Sequence, residues 1–298
     1  MQVISKTRMN SMSSVQPKII LMDNGSLKAA ASLQLRTLAQ RLSSVSGHEI
    51  FPVSLRHADK IPPQELAGQA APTLIPFLTE QLRAGHQRFL VLPLFFAASG
   101  ALTRYLPQQL ETLRRQWENL DFTLADVVYP LPQGEPALVA SMRQQWQQLQ
   151  QSVQSPAQAP VQAPVQAILV DHGSPDPEVS AVRQHLAKQL RQHLAEDQWL
   201  DEAVMERRSG TAYDFNGELL ETLLRERAQQ GVKDIILLMQ FFLPGRHAGS
   251  GGDIEQIISA ITRQYPHTRI HQSQLVAQHE ALIDILQARL NVALAILQ

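Results

Sequence analysis

Cysteine is absent from the 298-residue chain. That excludes disulfides, thiolate zinc sites, cysteine nucleophiles and Cys-ligated iron–sulfur clusters. Any metal must therefore be held by His, Asp or Glu. An excess of charge is missing too, since Lys+Arg 26 against Asp+Glu 27 leaves a net −1 and no basic footprint for nucleic acid. No apolar run approaches the ~18 residues of a membrane span. Met1 to Gln16 is basic and Ser-rich but lacks the apolar segment of a secretory signal. These absences point to a soluble, cytoplasmic protein without nucleic-acid or membrane partners, with a disordered tail over 1–16. Nucleotide motifs are wanting as well. Gly249, Gly251 and Gly252 do not complete a dinucleotide fingerprint, because Ile254 stands where the last glycine belongs. No Lys-Ser or Lys-Thr follows them, so there is no P-loop, and there is no Gly-x-Ser-x-Gly elbow.

What is present suffices for two domains. Hydrophobic residues make up 44% and charged residues 18%, enough apolar material for a sizeable core. Residues 151–166, reading QSVQSPAQAPVQAPVQ, have the Pro/Ala/Gln composition of an extended linker. The parts on either side, 17–150 and 167–298, repeat each other. Lys18 to Asp23 and Ala167 to Asp171 are apolar runs ending in Asp, followed by Asn24-Gly25-Ser26 and His172-Gly173-Ser174. Gly85 to Phe96 matches Gly231 to Phe242 without a gap at an offset of 146.

Strand-like runs near 18–23, 49–55, 88–95 and 122–128, and again near 167–171, 202–207, 233–241 and 268–275, alternate with helical stripes. Leu102, Leu106, Leu110, Leu113 and Trp117 make one stripe; Val179, Val182, Leu186, Leu190 and Leu194 make another. The expected fold is α/β: two similar lobes from an internal duplication, each a mostly parallel sheet flanked by helices. The lobes are expected to pair about a pseudo-twofold axis. Ligands of such sheets lie outside the carboxyl ends of the strands.

His172 directly follows a buried-type strand, and Gly173 permits a sharp turn there. The same tetrapeptide also reads as plain turn and cap chemistry, with Ser174 capping the next helix. His247 stands in Pro244-Gly245-Arg246-His247-Ala248-Gly249-Ser250-Gly251-Gly252-Asp253, which reads as an open glycine loop before a helix capped by Asp253. Both histidines are expected on solvent-accessible turns. Glu206 closes a third strand edge, and two imidazoles beside one carboxylate suit a borderline divalent ion; Glu206 also reads as a surface partner of Arg207 or Arg208. Asp214 and Asn216 read as caps of the following helix. A histidine phosphatase would need Arg where Asp171 stands. Of the remaining histidines, only His57 lies where it invites attention.

The strand ending in His172-Gly173-Ser174, Glu206 after the next strand, and Phe241-Phe242-Leu243 running on through Gly245-Arg246-His247 to Gly252-Asp253-Ile254 resemble the class II tetrapyrrole chelatases. The similarity is strongest to the sirohydrochlorin branch, cobaltochelatase or ferrochelatase, in its long two-repeat form. The resemblance implies insertion of a divalent metal, cobalt or iron, into sirohydrochlorin for cobalamin or sirohaem synthesis, with no nucleotide and no iron–sulfur cluster. It implies that His172 and His247 are catalytic, that His172, Glu206 and His247 hold the metal, and that Ser174, Arg246 and Arg207 contact the tetrapyrrole. Asn24 and Ala101 stand at the positions of the two histidines in the first repeat, so that lobe is expected to be catalytically silent. The implied assembly is a monomer with pseudo-twofold lobes or a weak homodimer. A tetrapyrrole or metal carrier of the same fold, and an α/β interaction module, remain open as alternative functions.

Overall fold

The computed structural model describes residues 16–153, 165–195 and 198–297. The expected tail over 1–16, save Gln16, and most of the expected linker thus lie outside the described residues. The first half contains β1 (Lys18–Asp23), α1 (Ala29–Ser46), β2 (Ile50–Ser54), α2 (Leu74–Arg83), β3 (Arg88–Pro93), α3 (Leu106–Arg114), β4 (Asp121–Leu124) and α4 (Pro136–Val153). The second contains β5 (Gln166–Asp171), α5 (Pro177–Arg191), β6 (Leu200–Val204), β7 (Glu218–Leu219), α6 (Leu220–Gln229), β8 (Asp234–Met239), α7 (Asp253–Gln264), β9 (Arg269–Gln272) and α8 (Glu280–Ile296). At its ends the anticipated linker is regular structure, since 151–153 finish α4 and Gln166 opens β5.

The strands form two sheets, in the orders β2-β1-β3-β4 and β7-β6-β5-β8-β9. Every strand pairing is parallel, and the two orders agree except for the two-residue β7. Central strands are apolar on both faces, as a parallel sheet covered by helices requires. Ile19 and Leu21 of β1 point to one core, Ile20 and Met22 to another.

Three of the four apolar clusters among the described residues reveal how the lobes are joined. The outer face of the first sheet packs with α2 and α3, and the outer face of the second with α6 and α7. The inner faces of both sheets share one continuous core with α1, α4, α5 and α8. The molecule is therefore two three-layer sandwiches with a common inner helical layer. Within that layer the last helix of each half crosses over: α4 lies against β8, and α8 lies against β3 and α1. Polar contacts reinforce the exchange. Arg289 of α8 reaches Glu135 at 2.6 Å and the Val127 carbonyl at 3.2 Å, and Ser141 of α4 meets His279 Nδ1 at 2.9 Å.

Phe96 and Phe242, equivalent positions in the repeat, stack at 3.9 Å between centroids and 18° between planes. Self-contact of equivalent residues is what a twofold-like axis produces. No helix among the described residues is long and apolar enough to cross a membrane.

Candidate metal centre

Three adjacent strands of the second sheet aim their carboxyl ends at one place. His172 follows β5, Glu206 lies two residues beyond β6, and His247 follows β8. The β5 turn is fixed by glycine. Gly173 has φ 83°, and a Cβ there would collide with the Glu206 carbonyl, while the Glu206 amide donates to the His172 carbonyl at 3.0 Å. One backbone contact thus sets the spacing of two site residues. Gly173→Ala should combine left-handed strain with that collision. The expected result is a melting temperature lowered by several degrees and loss of metal binding, read by calorimetry and by titration with cobalt.

Beneath the turn lies a buried ionic cluster. Asp171 accepts from the Gly173 amide at 3.0 Å and pairs at 2.8 Å with Arg183, whose side chain is 1% exposed. Burial pushes the Asp171 carboxyl up, and the Arg183 guanidinium pulls it back toward the charged form. Arg183 also donates to the Asn216 carbonyl at 2.6 Å. Asn216 is fully buried and clasps Ser174 from both sides. Its Oδ1 accepts from the Ser174 amide at 3.0 Å, and its Nδ2 donates to the Ser174 carbonyl at 2.8 Å. Asn216 is therefore a strap across the His172 turn rather than the helix cap its sequence context suggested. Asp176, not Ser174, caps α5 by accepting from the Glu178 amide.

The β8 loop differs from the open loop that its glycines implied. It winds on itself: Gly249 donates to the Gly245 carbonyl at 3.0 Å and Ile254 to that of His247 at 3.1 Å. A Cβ on Gly252 would meet the carbonyl oxygens of Arg246, His247 and Gly249. The glycines serve close packing, and they bury His247 to 5% exposure while His172 stays exposed. The expectation of two solvent-accessible histidines thus holds for one of them only. Nor does Asp253 cap α7. Its Oδ2 sits 2.8 Å from His247 Nδ1 and 3.2 Å from Arg246 Nε. The imidazole contact is close but poorly aligned as a hydrogen bond, and it still biases the Nδ1 proton toward the carboxylate.

On the other side, His247 Nε2 faces Glu206 Oε1 at 3.5 Å, and the two imidazole rings meet edge to face at 4.6 Å between centroids. His172 Nδ1 is 3.1 Å from the Gly173 carbonyl, an acceptor, so this nitrogen donates and Nε2 is left with its lone pair. Acceptor atoms of His172, Glu206 and His247 lie within 4.8 Å of one another. Such lone pairs repel unless a cation or proton sits among them. At metal–ligand bonds of about 2.1 Å, opposite ligands can be no more than ~4.2 Å apart, so the side chains must close by several tenths of an ångström around an ion. Burial is the largest cause lowering the His247 pKa from its ordinary 6.5, and repulsion from His172 adds to it; Glu206 and Asp253 oppose both. His247 is thereby held in its neutral, ligand-competent form.

Of the residues expected on the tetrapyrrole, Arg246 is at this site, 72% exposed and 3.3 Å from Glu206 Oε1. Ser174 and Arg207 are engaged elsewhere. The Ser174 hydroxyl accepts from the Asp176 amide at 3.0 Å, and Arg207 bonds the Gly217 carbonyl and Asp214 at 2.7 and 2.8 Å. Arg208 rests against Tyr213. His57 is exposed at φ 72° in the other lobe and does not join the histidines. A cavity of ≈ 300 Å³ beside Arg36, Phe51 and Phe77 lies on the outer edge of β2 and contains no site residue.

Several solved structures share this architecture. SirB from Bacillus subtilis with Fe3+ aligns at TM-score 0.64 and 11% identity over 94% of this chain and 96% of that one. The sirohydrochlorin chelatase SirB from Bacillus subtilis subspecies spizizenii, in complex with cobalt, aligns at 0.61 and 11% identity over 94% and 95%. CbiX, described as the terminal enzyme for biosynthesis of siroheme in denitrifying bacteria, aligns at 0.54 and 12% identity over 93% and 99%. No curated protein matches by sequence. The family model CbiX matches residues 166–293, the half that carries His172, Glu206 and His247. Over this C-terminal lobe the chain is similar to the CbiX family, and as a whole it shares the fold of the SirB and CbiX structures.

Proposed function

We propose that the protein inserts a divalent metal into sirohydrochlorin without nucleotide, with cobalt the first candidate ion and iron the second, in cobalamin or sirohaem synthesis. The observation that carries this reading is the convergence of His172, Glu206 and His247 at the carboxyl edge of a fold whose relatives include sirohydrochlorin chelatases. Insertion must strip water from the ion and remove two pyrrole N–H protons. Imidazole and carboxylate ligands suit the first task, and neutral histidine near pH 7 suits the second. In this reading His172, Glu206 and His247 take the ion as substrate, and the two histidines accept the protons. Arg246 offsets the Glu206 charge until the ion arrives. Ser26 of the first lobe lies beside Gly245 of the second, so one chain would supply both sides of the site and a monomer would be sufficient.

Anaerobic incubation of sirohydrochlorin with cobalt, iron and nickel offered separately, followed by the tetrapyrrole absorbance spectrum, tests the proposal. Catalysed insertion of cobalt or iron is the expected result. Binding of tetrapyrrole and metal with no acceleration over the protein-free rate would instead mark a carrier. Binding of neither would leave an interaction module.

The pH profile has a definite sign. Protonation of His247 removes a ligand and a base, and its pKa lies below the ordinary histidine value. Activity should therefore persist down to about pH 6.5 and fall only below roughly pH 6. A profile flat from pH 5 to 8 would exclude histidine from both roles.

A further inference from the structure

The register of the sheets reveals what occupies the metal site's counterpart in the first lobe. β1 pairs Asp23 with Ser54, and β5 pairs Asp171 with Val204. Two residues further on stand Arg56 and Glu206. The equivalence is also structural, because a Cβ on Gly25 would strike the Arg56 carbonyl as one on Gly173 would strike that of Glu206. The first lobe thus has Asn24, Arg56 and Ala101 where the second has His172, Glu206 and His247. The sign of the charge is inverted, and both imidazoles are gone.

Arg56 is also short of partners. Its Nε is buried without a hydrogen-bond acceptor. Its guanidinium lies 5.1 Å over the Tyr105 ring, an arrangement that holds the group in place. Among the described residues no carboxylate pairs with Arg56 or with the neighbouring Arg104, whereas Arg246 and Arg207 are both committed to carboxylates. A guanidinium held by a ring, with an unsatisfied Nε and no paired carboxylate, is an incomplete hydrogen-bond system that an arriving carboxylate would help to complete. The site lies beside the loop of the metal centre, since Ser26 Oγ lies 3.8 Å from where a Gly245 side chain would begin.

Building on the proposed chelatase function, we infer that the first lobe retains a binding role: Arg56 seats a peripheral carboxylate of the tetrapyrrole. The macrocycle is thereby oriented with the opposite, metal-loaded lobe facing its nitrogens. A cation is repelled from the first site and drawn to the second, which would give a symmetric fold a single direction of delivery.

The test uses the full chain and two readouts. The first is binding of metal-free uroporphyrin, a macrocycle with the same kind of acetate and propionate side chains, followed by fluorescence. Arg56→Ala should weaken it about tenfold, one charge-assisted contact, with Arg56→Lys recovering part of the loss. Binding of cobalt to the protein alone should stay within about twofold. The second readout is insertion kinetics, where Arg56→Ala should raise the KM for sirohydrochlorin while kcat changes far less. If the Arg56→Ala and Arg56→Lys variants, folded by circular dichroism, match the parent in both Kd and KM, the inference is wrong. If the parent inserts no metal yet loses uroporphyrin affinity on Arg56→Ala, the carboxylate site stands and the chelatase reading falls.

Discussion

Arg183→Leu is expected to destabilise the protein by about 3–5 kcal/mol, the usual cost of removing one member of a buried ion pair. Asp171 would be left buried without its cation, the Asn216 carbonyl would lose its donor, and Glu202 would retain only Arg191. The first lobe displays the residue that this substitution introduces. Leu35 stands at the position of Arg183, and Asp23, the counterpart of Asp171, has a buried Oδ1 without a partner. Burial is the main cause raising the Asp23 pKa to about 6, against the Ser54 hydroxyl and the Gly25 amide, which lower it. In the Arg183→Leu variant the Asp171 pKa, already raised by burial, should rise further once the guanidinium that opposes the shift is gone. A carboxyl that binds its proton more tightly when folded loses stability as pH climbs from the unfolded to the folded pKa, with no further loss above. The deficit should thus be small near pH 4 and full by neutral pH. Urea unfolding of parent and variant at pH 4.5 and 7.5 measures it; an equal deficit at both would show that Asp171 stays ionised.

His247→Ala and His172→Ala should each reduce metal insertion on the order of 10²–10⁴-fold, the range for loss of a positioned acid–base group. Their structural costs should differ. His172 is exposed, and its removal should stay within about 0.5 kcal/mol. His247 is buried against Asp253 and Glu206, so its loss opens a buried gap and leaves both carboxylates with Arg246 alone, and should cost about 1–3 kcal/mol. Asn24→Ala should leave insertion nearly unchanged, because Ala101 and Arg56 provide neither ligand nor base beside it. Steady-state insertion by the three variants, with thermal melts, separates these outcomes. Equal damage from Asn24→Ala and His172→Ala would refute a single metal site.

Much of this was legible in the residues. Runs such as Lys18 to Asp23 and Asp234 to Met239 are apolar at successive positions, a pattern that a parallel strand covered on both faces requires and few alternatives satisfy. His172 was legible because it directly follows such a run, and Glu206 and His247 because they lie in the segments that leave the neighbouring strands β6 and β8. The supporting shell was not. Asn216 lies shortly before a helix and Asp253 opens one, where short polar side chains ordinarily cap, and only tertiary structure turns them toward Ser174 and His247. Arg56 escaped for another reason: the repeat has an offset of 146 at the Phe pairs but 150 between Arg56 and Glu206. Only strand register aligns those two. The glycine loop misled because glycine permits tight winding as readily as openness, and composition does not distinguish them.

The crossover of the last helix of each half bears on how the chain is made. A ribosome that has released residues 16–153 has delivered every strand of the first sheet, yet Ile19, Leu21, Leu90 and Leu92 still face no α8. Their cover, Leu282, Leu286 and Leu290, is synthesised only after every strand of the second sheet. The half that emerges first is therefore completed only after the strands of the second, and its apolar face stays open to chaperones and to other nascent chains while those strands are translated.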